Sequence, residues 1–324
     1  MSGPTTVTTK GAMMLSHTFR AMASQVELRV LDPLPHAAAC LERAELVVRE
    51  VERHCSRFDA TSALSRANAA PDAWHLVPDV VADAVLEAER AHRETDGLFD
   101  PRVLDALLAW GYDRSLPFAD GDVTTSATAS GAPLVEPWRP TVRPGRRPGL
   151  HLGGRPVDLG GIGKGLAVRR AAAELAGAGA SWLVDAGGDE YLGGGGPTGS
   201  GWRVGVEDPL GGDSPVLVLA VRDAGCATSS TRLRRWTAAG APVHHLVDPR
   251  SGRPGGAGLA AVTVVGPDAA WAEVWTKALF LTGADVIAAE ADARLLAAAW
   301  VTTDGLVGTS PAMDPLVVWR RDRG

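Results

Sequence analysis

The stretch Val157 to Ala171, VDLGGIGKGLAVRRA, decides how the chain is read. Val157 and Leu159 read as a short buried strand; Gly160, Gly161, Gly163 and Gly165 form a dense turn; an alanine-rich helix follows. Glycine takes positive φ without a Cβ clash and lets a ligand come close to the backbone. A helix beginning just after such a turn aims free N–H groups and its positive dipole end at one spot, which suits a phosphate. Lys164 adds a mobile positive charge, and Asp158 an acceptor for a hydroxyl or a ring nitrogen. No GxGxxG register fits, and the stretch lacks the first glycine and the Ser/Thr of a Walker loop. A strand-to-helix turn without a ligand is the alternative reading.

The 324 residues can bury a sound core as one large domain or two. Composition is that of an ordinary water-soluble domain, 45% hydrophobic and 22% charged, with a mean hydropathy of +0.02. A formal net charge of −6 leaves no basic footprint for nucleic acid. The three cysteines, Cys40, Cys55 and Cys226, are widely scattered. That pattern fits a reducing compartment and argues against a disulfide framework or a cysteine zinc site. No run of 18 apolar residues is present, and the N-terminus has neither an apolar signal core nor a cysteine to lipidate. The expectation is a cytoplasmic protein without a membrane span, with residues 1–15 a disordered leader and residues 16–324 the folded domain.

Along the chain, Val26, Leu28 and Val30 alternate as in a strand. Apolar residues at 37, 40, 41, 44, 47, 48, 51 and 55 mark an amphipathic helix. Asp79 reads as the N-cap of a second helix running to Gly97, and Asp268 as the cap of another ending at Gly283. Residues 113–150, rich in Ser, Ala, Gly, Pro and Thr, read as a loop or hairpin insertion. WRVGVEDP and PVLVLAVRDAG read as paired strands, and one helix with one or two strands closes the chain. Strands and helices intersperse without a βαβ rhythm, which points to α+β.

No nucleophile elbow GxSxG and no HExxH occurs. His244, His245 and Asp248 are close enough to share a metal, while an acid–base or phosphate-contacting loop histidine and a purely structural loop are the other readings. Glu273, Thr276 and Lys277 share one helix face. Glu273 and Thr276 could present hard oxygens to Mg²⁺, although a Glu–Lys surface pair is the commoner meaning of that spacing. Trp110 and Tyr112, flanking Gly111, and Phe58 could stack on a planar ring or pack in the core.

Taken in order, AMAS, SRFDATSALSRAN, GLFDPRVLDALLAWGY, VDLGGIGKGLAV, LVDAGGDEYL, ATSSTRLRRW, HHLVDPRSGRP and AEVWTKALFLTG resemble the ApbE family of flavin transferases. The resemblance spans Phe19 to Gly283. It implies an α+β fold of mixed, mostly antiparallel sheets flanked by helices, with two interleaved subdomains around an FAD cleft. It also implies the chemistry: FAD is cleaved at its pyrophosphate, FMN passes to a Thr or Ser hydroxyl of a target flavoprotein, and AMP leaves. An FAD pyrophosphatase and a non-catalytic FAD-binding protein are the alternatives. By the resemblance, Met22, Phe58 and Trp110–Gly111–Tyr112 border the FAD, Asp158 holds the flavin or its ribityl chain, and Lys164 grips the pyrophosphate. Thr228 and Ser229 line the same floor, and His245 contacts a phosphate or aids acid–base chemistry. Mg²⁺ is expected on the Gly161 carbonyl and on the helix bearing Glu273, Thr276 and Lys277. The family's usual Asp and Thr are replaced there by Glu273 and Lys277, and a protonated lysine has no lone pair to give a metal.

Overall fold

Buried Ala37, Cys40, Leu41, Ala44, Val48, Val51 and Cys55 recur at helical spacing, and they form one face of α1 (Ala37–Cys55). The computed structural model describes residues 5–9, 12–118, 123–126 and 131–322. Six further helices follow: α2 (Ala63–Asn68), α3 (Asp79–Glu94), α4 (Leu104–Ala109), α5 (Gly163–Leu175), α6 (Ala269–Thr282) and α7 (Ile287–Ala293). Nine strands form the main sheet: Thr5–Thr9, Ala12–Ala21, Ser24–Leu31, Ser181–Ala186, Glu190–Gly194, Ala224–Ser230, Leu259–Gly266, Ala297–Thr302 and Val307–Thr309. They lie side by side in sequence order, each antiparallel to its neighbours. The architecture is α+β.

Alternation assigns the two faces of this sheet. Val26, Leu28, Val30, Val184 and Ala186 point to the core under α1 and α5, and Ala227, Val262, Val264 and Ala298 to the core under α6. The opposite face, with Leu183, Leu192, Cys226, Val265 and Val301, packs on a small sheet built from Trp202–Val206, Leu217–Val221 and Val317–Arg320. Helix α6 is buried on most sides, as a helix wedged between a sheet and α5 must be. It crosses α5 so closely that a Cβ on Gly165 would lie 2.6 Å from Ala270 Cα. Asp268 caps α6 by accepting from Trp271 N, and Gly283 ends it at φ +82°. Among the described residues no helix is long and apolar enough to cross a membrane.

Several sequence expectations need correction. Val157 and Leu159 belong to no strand; the Asn68 amide takes the place of a neighbouring strand, donating to Val157 O at 2.8 Å and accepting from Val157 N at 2.9 Å. Residues 1–4 and 10–11 of the leader lie outside the described residues, but Thr5–Thr9 and Ala12–Leu15 are paired strand, not a disordered segment. Pro78 is the cap residue of α3, Asp79 sits in its first turn, and the helix ends at Glu94, with Gly97 at φ +79° closing the turn onto His92 O. The hairpin reading of residues 113–150, by contrast, holds at the end of that stretch, where Thr141–Arg143 pairs antiparallel with Gly149–His151. Three strands, not one or two, follow α7.

On the small-sheet face, Glu190 stands directly across from Asp185. Burial first, then the Asp185 charge, push the Glu190 carboxyl up to about 8. The folded chain therefore holds a proton there that the unfolded chain releases above its ordinary value, so stability falls as pH rises through that window. Glu190→Gln is expected to raise the melting temperature, more at pH 8.5 than at pH 5; equal shifts at both would contradict the assignment.

Candidate active site

A cleft of about 710 Å³, counted to its open mouth, lies where seven separate segments converge. Arg57 and Phe58 enter it just after α1, Phe99 to Val103 after α3, and Tyr112 after α4. Asp158, Gly160 and Gly161 come from the turn before α5. Arg234 and His245–Val247 flank the short strands Arg235–Ala238 and Ala241–His244, and Lys277 reaches in from α6.

The aromatic wall is built around a cation. Arg57 lies 4.0 Å from the Phe58 ring centroid and 4.6 Å from that of Tyr112. Its Nη1 donates to Tyr112 O at 2.8 Å, and its Nε stands 3.2 Å from Asp158 Oδ2. The Arg57 side chain is 4% exposed, yet its Nη2 finds no hydrogen-bond partner among the described residues. A buried guanidinium donor left open in a cleft is costly unless a ligand acceptor fills it. Phe58 remains 46% exposed at the mouth, where a planar ring can reach it. Asp158 Oδ1 accepts from Gly160 N at 2.8 Å, which holds the glycine turn against the cleft.

The floor is organised by Glu273. This side chain is 1% exposed, its Oε2 accepts from Gly165 N at 2.8 Å, and its Oε1 lies 3.2 Å from Lys277 Nζ. Burial alone would push the carboxyl up, but the ammonium groups of Lys277 and Lys164 and the Gly165 N–H hold it below its ordinary value. The first turn of α5 is thus closed by a protein carboxylate, so the free helix end expected from the glycine turn is already occupied. Lys164 pairs with the buried Asp189, and does not line the cleft. Burial pushes its ammonium down to about 8, opposed by Glu273, and the Asp189 contact favours the charged form.

His245 lines the cleft, and its backbone N–H donates to Arg234 O at 3.2 Å. Burial, with the nearby charges of Arg234 and Lys277, holds the imidazole well below its ordinary value, so it is neutral at pH 7.

The expected site residues therefore divide. Phe58, Tyr112, Asp158, Gly161, His245 and Lys277 meet in the cleft. Trp110 is 1% exposed and packs in the core with Trp236, whose Nε1 donates to Trp110 O at 2.8 Å. Gly111, at φ +78°, closes the turn beside Thr125. Met22 takes φ +54° and donates its N–H to Glu52, with its side chain near Gly163. Thr228 and Ser229 cannot line one floor, because neighbouring strand residues face opposite sides. Thr228 meets Thr263, while Ser229 bonds Thr276 at 2.7 Å beneath α6. Arg57 and Arg234 escaped the sequence reading, because surface-type arginines in polar loops carry no periodic signal; a lone arginine between Ser56 and Phe58 was the available hint.

The Mg²⁺ expectation meets this donor set and does not fit it. Both Glu273 oxygens are engaged, the Thr276 hydroxyl is buried and donates to Glu273 O at 2.7 Å, and Lys277 offers only N–H donors. Among the described residues no group of three or more His, Cys, Asp or Glu side chains gathers to hold a metal. Glu273→Leu is expected to cost about 3–5 kcal/mol, read as a fall in denaturant midpoint, because it strands the buried Lys277 ammonium and opens the α5 terminus. Glu273→Gln, which keeps an acceptor for Gly165 N–H, should cost less; the reverse order would contradict the capping role.

The ApbE family matches residues 22–300 of this sequence. A relative from Treponema pallidum named FAD:protein FMN transferase is 30% identical over 266 residues, spanning 78% of this chain and 73% of the relative. Another of that name, from Salmonella typhimurium, is 29% identical over 239 residues, spanning 70% of this chain and 67% of its own. Among solved structures, the ApbE protein of Thermotoga maritima superposes with a TM-score of 0.77 at 22% identity, covering 95% of this chain and all (100%) of that one. The apo form of Pseudomonas stutzeri flavinyl transferase ApbE gives 0.75 at 22% identity, covering 94% and 97%. These two likenesses establish a common fold, and the sequence match goes further: the chain belongs to the ApbE family.

Proposed function

We propose that this chain is an FAD:protein FMN transferase, which binds FAD in the cleft and moves its FMN part to a Thr or Ser hydroxyl of a target flavoprotein. The observation that carries the reading is the Arg57 corner: an open buried guanidinium donor held between Phe58, Tyr112 and Asp158. It offers one ligand both an aromatic surface and a positive charge, as a flavin joined to a diphosphate requires. The names of the relatives support the same reaction.

The acceptor hydroxyl oxygen attacks the phosphorus on the FMN side, a new P–O bond forms, and the bond from that phosphorus to the bridging oxygen breaks. AMP leaves with the bridging oxygen. Such transfer depends on alignment and charge neutralisation more than on a covalent protein group. Arg57, Arg234 and Lys277 supply the positive charge around the cleft. The neutral His245 imidazole takes the proton released by the attacking hydroxyl. Asp158 orients the flavin end through a ribityl hydroxyl or ring N–H. Trp110 and Gly111 hold the wall from behind, Met22 borders the start of α5, and Lys164 keeps the Gly187–Asp189 turn in place. The cytoplasm is the compartment this reading assigns, supported by three buried free cysteines.

The test incubates the purified chain with FAD and a candidate acceptor flavoprotein, then reads flavin fluorescence on the denatured protein. Covalent FMN on the acceptor, with AMP released in equal amount, is expected. Free FMN without labelling, or unchanged FAD, would overturn the reading. His245→Asn should slow transfer by about 10²–10⁴-fold while FAD still binds. Because the imidazole protonates well below its ordinary value, the transfer rate should stay level from pH 8 down through pH 6; a halving near the ordinary histidine value would count against His245 as the base.

A further inference from the structure

Lys277 occupies an unusual position. Its side chain lines the cleft and packs over the glycine turn, with Cδ 3.3 Å from where a Cβ on Gly161 would lie. Its ammonium donates to Glu273 O and Glu273 Oε1, both at 3.2 Å. An ammonium has three donors, so the two bonds to Glu273 leave one for a further acceptor. Each Glu273 oxygen already accepts one hydrogen bond, Oε2 from Gly165 N–H and Oε1 from Lys277, and the side chain is buried. Ser229 and the Glu273 carbonyl hold the Thr276 hydroxyl away from the cleft.

From this arrangement we infer that the Lys277 ammonium, clamped by Glu273, serves as the built-in cation for the ligand's diphosphate, in the place where a protein-bound divalent metal would otherwise act. The inference rests on the proposed FAD binding in this cleft. It assigns Lys277 a direct contact with a phosphate oxygen, and Glu273 the role of positioning residue that fixes the ammonium. The charge match is local: a point charge on a four-carbon stem, fixed by its Glu273 contacts, can neutralise one diphosphate oxygen without recruiting an ion from solution. A chain built this way binds a diphosphate-containing nucleotide in the absence of free divalent cations.

The test measures FAD and ADP affinity by titration calorimetry, in chelator and again in millimolar MgCl₂. Wild-type affinity for FAD is expected to differ by less than about threefold between the two media. Lys277→Thr should lose about tenfold or more in chelator, and should recover part of it with Mg²⁺, since Glu273 and the new hydroxyl are then free oxygen donors. Should the single variant unfold because Glu273 is stranded, Glu273→Gln combined with Lys277→Met removes both charges together. That double variant should show the same loss in chelator and no recovery with Mg²⁺. FAD binding by the wild type that depends on Mg²⁺ by about tenfold or more, or a Lys277 substitution without effect in chelator, would overturn the inference while leaving FAD binding intact. Absence of FAD binding in both media would overturn the proposed function, and the inference with it.

Discussion

A single buried carboxylate ties the functional end of this protein together. Glu273, on α6, closes the first turn of α5 through Gly165 N–H and holds Lys277 with its other oxygen. The two helices can meet only because Gly165 has no side chain at the crossing, where a Cβ would lie 2.6 Å from Ala270 Cα. A carboxylate so deeply buried persists only while paired on all sides. Its partners are therefore fixed in turn: the α5 terminus, the Lys277 ammonium, and through charge the neighbouring Lys164. The glycine turn from Gly160 to Gly163 and the cleft floor inherit their position from this clamp.

Around the clamp, the chain sorts its positive charges by partner. Lys164 is consumed by Asp189, which anchors the turn after strand Ser181–Ala186. Arg102 is consumed by Asp100 in a buried bidentate pair. Arg57, Arg234 and Lys277 line the cleft. The same positive surroundings, together with burial, keep His245 neutral. A neutral imidazole beside cationic groups can accept a proton while the cations address a diphosphate, so the two tasks fall to different residues.

Much of this was legible in the sequence. The period of α1, the Asp268 cap and Gly283 stop of α6, and the alternation of Val26, Leu28 and Val30 are local signals, and the structure follows them. Ordered short motifs carried the family reading, because their spacing constrains the whole chain. What escaped was long-range. Nothing near Val157 shows that Asn68, 89 residues earlier, satisfies its backbone and so prevents a strand. Nothing near Lys164 shows that Asp189 will take its charge, or near Gly165 that a carboxylate 108 residues later will fill the helix end. Arg57 was silent for the same reason: its value comes from Tyr112 and Asp158, which only the fold brings beside it.

The account is tested most directly by a crystal structure of the chain with FAD bound, grown in the presence of Mg²⁺. The expected result places a diphosphate oxygen within hydrogen-bond distance of Lys277 Nζ, with Glu273 still accepting from Gly165 N–H. A diphosphate seated instead on Lys164 with Asp189 displaced, or a Mg²⁺ ion coordinated by Glu273 between helix and phosphate, would contradict it.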